Sequence, residues 1–241
     1  MLVKSEGCPL HHIKYRDNGL IVYTYTRDFG FQTLLVQGVR GKKGTGNPSI
    51  YQPLFLLDID FYYHQSQDIH RIKEARLHTA YHAIPFNVYK SSMVLFLAEI
   101  LYKCLRTQEI SPALYDFISH AMQILDKMDT GTSNFHLVFL IKLSRHLGFY
   151  PNPTDAHGFH CFDLRDGIFR KAYPNHPFYM PEKYASILLD LLSVDFNSMD
   201  RLPMNQTDRN VMVEHILEYY QLHQENLKNV QSYKIFRKLF N

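Results

Sequence analysis

Residues 36–57 read VQGVRGKKGTGNPSIYQPLFLL, the end of one apolar strand, a glycine-broken basic loop and the start of a second apolar strand. Gly38, Gly41, Gly44 and Gly46 admit positive φ, and Asn47-Pro48 closes the excursion, because proline fixes its own φ and disfavours helix just before it. Arg40, Lys42 and Lys43 lie inside this loop, and no acidic residue occurs between Asp28 and Asp58 to neutralise them locally. A cationic connection between strands seeks an anion. Taken by itself, the same pattern also describes an ordinary solvated hairpin loop.

Outward from this loop, residues 10–77 follow a two-residue alternation rich in Tyr, Val, Ile, Thr and Phe, the mark of β structure with one buried face. Five strands are expected, at 10–16, 20–26, 31–39, 50–63 and 69–77. Asp17-Asn18-Gly19 and Asp28-Phe29-Gly30 supply two turns and residues 64–68 the last. Five short strands with one long basic connection predict an OB-fold barrel, a closed sheet whose outer face and loops suit oligonucleotides.

Beyond Ala83 the period becomes helical. Helices are expected over 87–106, after Ser111-Pro112, over 133–147 ending at Gly148, over 181–194, from a Thr207 cap to 224, and from Ser232 to 240. Residues 150–181 hold five of the eleven prolines and read as an irregular insert or a short hairpin near 161–169. The expected class is therefore α+β: an OB-fold domain over 1–82 followed by an all-α helical domain over 83–241.

A hydrophobic content of 46% over 241 residues is enough for a real core. Residues 1–80 carry ten Lys/Arg against seven Asp/Glu while 81–241 carry sixteen of each, so the positive surplus belongs to the N-terminal third. A second basic cluster, Lys228, Lys234, Arg237 and Lys238, ends the chain. Cys8, Cys104 and Cys161 are odd in number and far apart, which argues against a disulfide framework and for a reducing compartment. No signal peptide or membrane span is read, since the most apolar run, 93–101, is short and contains Glu99. A cytoplasmic location is expected.

Catalytic patterns are missing from the sequence: it has no G-x-S-x-G, Walker loop, Rossmann glycine set or H-E-x-x-H. Asp58 and Asp60, at i and i+2 on one strand, share a face that suits a cation or acid–base work, or simply a solvated sheet. His157, His160 and Cys161 are the densest set of metal-ligating residues, but no fourth ligand stands at a standard spacing, so neither metal nor cofactor is expected. Binding is better supported than turnover. The β-region cations Arg16, Arg27, Arg40, Lys42, Lys43, Arg71, Lys73 and Arg76 are interleaved with Tyr15, Tyr23, Tyr25, Phe29 and Phe31. Phosphate neutralisation with base stacking needs that mixture.

Several segments, in order, carry a resemblance: YTYTRDFGFQTLLVQGVRGKKG (23–44), YQPLFLLDIDFYY (51–63), IHRIKEARL (69–77), RHLGFYPNP (145–153) and EYYQLHQENLKNVQSYKIFRKLF (218–240). Together they resemble the RecO family of bacterial DNA repair proteins, of the Bacteroidetes type. The resemblance implies an OB fold followed by a helical domain, without enzymatic turnover. It further implies binding of single- and double-stranded DNA, annealing of complementary strands, work with RecR, and help in loading RecA. Arg40, Lys42 and Lys43 match the family's basic loop and would contact DNA. Binding of the acidic tail of single-stranded DNA-binding protein is also implied, and Lys142 and Arg145 on the apolar third helix are candidates to edge that groove. Some members of the family hold zinc through a cysteine cluster, of which only Cys161 remains here. The alternative is an OB-fold adaptor for RNA or protein without annealing activity.

Overall fold

The computed structural model describes residues 1–38, 47–154 and 156–239. The chain forms two compact units, Met1–Lys127 and Met128–Asn241.

Five strands of the first unit, β1 (Leu2–Tyr15), β2 (Gly19–Thr26), β3 (Gly30–Gln37), β4 (Leu56–Tyr62) and β5 (Ile69–Thr79), close into a barrel in the order β1-β2-β3-β5-β4. All neighbours are antiparallel except β3 and β5, which run parallel. Closure depends on β1 pairing on both sides: its first half lies against β4, from Leu2 opposite Tyr62 to Gly7 opposite Leu57, and its second half against β2. A Cβ on Gly7 would come within 2.9 Å of the Ile59 side chain and 3.0 Å of that of Thr24, so the crossing from one partner to the other is tightly packed at this glycine. Val3, Leu20, Val22, Leu34, Val36, Leu57, Ile59, Phe61 and Ile72 fill the interior.

Two strands differ from expectation. β1 starts eight residues earlier, because its N-terminal half alternates inward Val3 and Ser5 with outward Lys4 and Glu6 too weakly to read as a strand. Residues 48–55 are not strand: Asn47 accepts a hydrogen bond from the Ser49 amide and opens a single 3-10 turn, Pro48–Tyr51, whose Tyr51 ring is buried in the barrel core. Leu54 then takes φ 60, and only beyond it does β4 begin. The basic loop's Arg40, Lys42 and Lys43 lie outside the described residues.

The barrel unit also contains two helices, α1 (Val88–Cys104) and α2 (Pro112–Lys127). Asn87 caps α1 by accepting from the amides of Tyr89 and Lys90. Ser111 caps α2, its Oγ accepting from the Leu114 amide, with Pro112 in the first turn as read from the sequence. Asp126 on α2 accepts from the backbone amides of His82, Ala83 and Ile84, each at 2.8 Å, and so ties the end of α2 to the chain between β5 and α1.

In the second unit α3 (Phe135–His146) is buried over nearly its whole length and ends at Gly148, φ 85. Around it stand α4 (Glu182–Ser193), α5 (Gln206–His223) and α6 (Ser232–Leu239). Tyr220 on α5 donates to the Leu140 carbonyl at 2.6 Å. The expected Thr207 cap is instead Asn205, whose side chain accepts from the Asp208 amide. The proline-rich segment contains a small antiparallel sheet, β7-β6-β8, of β6 (Cys161–Asp163), β7 (Ile168–Arg170) and β8 (Tyr179–Pro181). Its first two strands are the hairpin expected near 161–169. Asp163, fully buried, holds it by accepting from the amides of Arg165 and Asp166 and from the Arg170 guanidinium at 2.7 Å.

Candidate nucleic-acid interface

The strand register sorts the barrel's outer face into rows across β1, β2, β3 and β5. One row is Ile13, Ile21, Leu35 and Arg71; beside it lies His11, Tyr23, Thr33 and Ile69. Towards one end of the barrel comes a third row, Tyr15, Gly19 and Gln37. There the turn between β1 and β2 places Arg16, whose guanidinium lies 5.1 Å from the Tyr15 ring centroid. Gly38 lies at the same end, its amide donating to the Asn18 carbonyl at 2.9 Å. Tyr15, Arg16, Asn18, Gly19, Gln37 and Gly38 line a depression of about 230 Å³ there.

Because β5 runs parallel to β3, Arg71 stands opposite Leu35 and Lys73 follows it in the direction in which β3 approaches Gly38. Arg71 and Lys73 are exposed and, among the described residues, have no carboxylate within ion-pair distance. Lys14, exposed near the end of β1 and opposite Leu20, lies toward the same end of the barrel. Sequence reasoning missed Lys14, though the run Lys14-Tyr15-Arg16 next to a turn was a readable signal. The structure thus places Arg16, Arg71 and Lys73 toward the end of the barrel that holds Gly38, while Arg40, Lys42 and Lys43 lie outside the described residues.

Arg27 and Arg76 are placed differently. Arg27 sits in the turn at the other end of β2 and makes a two-pronged contact with Asp116, 2.8 and 3.2 Å. Arg76 lies on the outer face of β5 opposite Asp58, which it meets at 3.0 Å while His78 meets the other oxygen at 2.8 Å. Burial alone would raise the Asp58 carboxyl, but the bonds from His78 and Arg76 bring it below the ordinary carboxylate range. Around this pair Glu6, Asp60 and Glu74 line a shallow cavity with Lys4, so the β1-β4-β5 face is acid-rich. Asp58 and Asp60 do share a face, and each is engaged by cations of the same sheet.

In the second unit Lys142 is half-buried, and burial, with Asp195 opposing and Arg145 adding, lowers its ammonium pKa. Arg145, exposed, stacks 4.3 Å from the Tyr150 ring centroid. His160 meets Glu182 at 3.3 Å, and the buried Cys161 thiol donates weakly to the carbonyls of Arg170 and Ala172. Among the described residues no three His, Cys, Asp or Glu side chains form a group able to hold a metal, and no helix is long and apolar enough to cross a membrane.

A closed 1-2-3-5-4 barrel with a cationic end and a ring-bearing outer face defines an OB-type fold, followed in the chain by helices. Comparison with known proteins gives the family. The model described as Recombination protein O N terminal matches residues 1–81, and that described as Recombination protein O C terminal matches residues 86–231. The chain belongs to the RecO family. Proteins named DNA repair protein RecO from Bacteroides fragilis and Phocaeicola vulgatus are 36% and 33% identical to it, each aligned over 100% of both chains. The one from Flavobacterium psychrophilum is 28% identical over the same full coverage.

Proposed function

We propose that this chain is a non-enzymatic mediator of recombinational DNA repair that binds single- and double-stranded DNA and anneals complementary strands. With RecR, it helps load RecA on single-stranded DNA covered by single-stranded DNA-binding protein. Such a role places it in the cytoplasm, at the nucleoid. The observation that carries the reading is that Lys14, Arg16, Arg71 and Lys73 are exposed toward the end of the barrel that holds Gly38, inside a chain of the RecO family. Cations without carboxylate partners release counterions when they meet phosphates, and this term supplies most sequence-independent affinity. Flexible Lys and Arg grip a phosphate chain without reading its sequence.

Arg27 and Arg76 enter as the weakest contributors, because a phosphate must displace Asp116 or Asp58 to reach them. Lys142 and Arg145 are assigned to the acidic tail of single-stranded DNA-binding protein, whose carboxylates they would meet at the surface, the apolar side chains of α3 itself being buried.

Lys42→Glu combined with Lys43→Glu is expected to weaken single-stranded DNA binding. The slope of log K against log salt should flatten by about 1.4, the share of two phosphate contacts on a single strand. An unaltered slope in the double variant would remove the loop from the reading. A chain that binds DNA yet anneals no complementary strands would favour a simple OB-fold adaptor.

A further inference from the structure

The rings on the outside of the barrel form a connected, incompletely buried group on the face where α1 packs against β1. Tyr23 on β2 lies parallel to His11 on β1, centroids 6.0 Å apart and planes within 12°, and 6.2 Å from Phe31 on β3. Tyr102 of α1 closes the group at 5.1 Å from His11, 5.2 Å from Tyr23 and 6.1 Å from Phe31. The Arg106 guanidinium stands 5.5 Å from the Tyr102 centroid. None of the four rings is buried, whereas the barrel's own core residues are. Burial, with the neighbouring His12 adding and Glu99 opposing, lowers the His11 imidazole from its ordinary value, so at neutral pH it is an uncharged ring.

The group also continues in one direction. On β1 the outward residues after His11 are Ile13, 41% exposed, and Tyr15, over which Arg16 lies. Four residues of strand span roughly 13 Å. The strip therefore starts at one guanidinium, Arg106, runs over rings and an exposed aliphatic side chain, and ends at a second guanidinium, Arg16, beside Gly38. A protein partner would find a narrow strip with cations at both ends and apolar surface between. A single nucleic-acid strand offers the matching alternation, phosphates for the guanidinium groups and π faces for the rings, and stacking on aromatic side chains tolerates every base.

We propose that His11, Tyr23, Phe31 and Tyr102 form a base-stacking platform for single-stranded DNA, continuous through Ile13 with the cationic end of the barrel. The inference rests on the DNA-binding reading above and adds to it a preference for exposed bases. Duplex DNA, whose bases are already stacked, uses the cations alone.

The test compares a labelled thymidine oligonucleotide with an abasic strand of equal length by fluorescence anisotropy, at one salt concentration, with the full chain. The native protein should bind the thymidine strand at least about fivefold more tightly, the lower limit for one stacked base. Tyr23→Leu and Phe31→Leu, which keep apolar bulk but remove the π face, should lose most of that ratio while leaving abasic-strand affinity and duplex affinity unchanged. Irradiating the native protein with a strand containing 5-iodouracil gives a reading that needs no variant: crosslinks should map to the four rings. A native protein that binds both strands equally, or crosslinks confined elsewhere, would overturn the platform and leave DNA binding intact. A native protein that binds neither strand nor duplex would overturn the DNA-binding reading itself and the platform with it.

Discussion

Arg16 occupies the left-handed region, φ 52, in the turn between β1 and β2, where a side chain with a Cβ is disfavoured. The sequence places glycine at the end of this turn, and Asp17-Asn18-Gly19 points to Gly19 as the residue of unusual backbone. Gly19 is required for another reason: a Cβ there would lie 2.8 Å from the Tyr15 carbonyl oxygen. The strained position is given to an arginine, whose charge then projects beside Tyr15 at the end of the barrel that holds Gly38. A residue kept at a conformational cost is explained if its side chain has work to do. Arg16→Asn, which tolerates left-handed backbone, is therefore expected to raise stability by up to about 1 kcal/mol while weakening DNA binding. Thermal unfolding and anisotropy on the same preparation check both signs, and lower stability would dispose of the strain argument.

At the scale of elements, the sequence pattern and the structure agree where local chemistry is enough. The alternation of β2 and β3, the Ser111 cap and the Gly148 stop are all visible as residue types at fixed offsets. What was not legible depends on contacts distant in sequence. The first half of β1 is strand because β4 pairs with it 50 to 60 residues away, and Tyr51 interrupts a β-rich run because the barrel needs its ring inside. The junction of β5, α1 and α2 is of the same kind, since no spacing links Asp126 to His82, Ala83 and Ile84. Burial pushes the Asp126 carboxyl up, but the three amides and Lys90 pull it below its ordinary value. A carboxyl depressed on folding contributes stability that is complete above its unfolded pKa, about 3.9, and fades as pH falls through the folded value. Asp126→Asn turns a charge-assisted acceptor into a half-donor and should cost roughly 2–3 kcal/mol. Urea unfolding should show that gap in full at pH 7 and shrinking below about pH 4; a gap independent of pH would mean the charge is not its source.

Over the whole barrel the charges are sorted in a way that composition conceals. The surplus of cations in residues 1–80 was readable, but which cations are free was not, because neutralisation runs across strands: Asp58 meets Arg76 through a register 18 residues apart in sequence. The result is a cationic end with Lys14, Arg16, Arg71 and Lys73, and an acid-rich face where Glu6, Asp58, Asp60 and Glu74 surround Lys4 and Arg76. Asp60 and Glu74 stand directly opposite each other on β4 and β5, a pairing of like charges that costs stability in a sheet. In the proposed function that face repels a phosphate chain and turns the barrel so that its cationic end leads. Asp60→Asn with Glu74→Gln removes two of the repelling charges without touching the binding end. Association with single-stranded DNA should then quicken severalfold in about 10 mM salt, where the Debye length is about 30 Å, and match the native rate near 1 M, where it is about 3 Å. The dissociation rate should stay the same and the fold should become slightly more stable. Stopped-flow rates across that salt range decide the matter: equal association rates at low salt would show that the acid-rich face does not steer DNA.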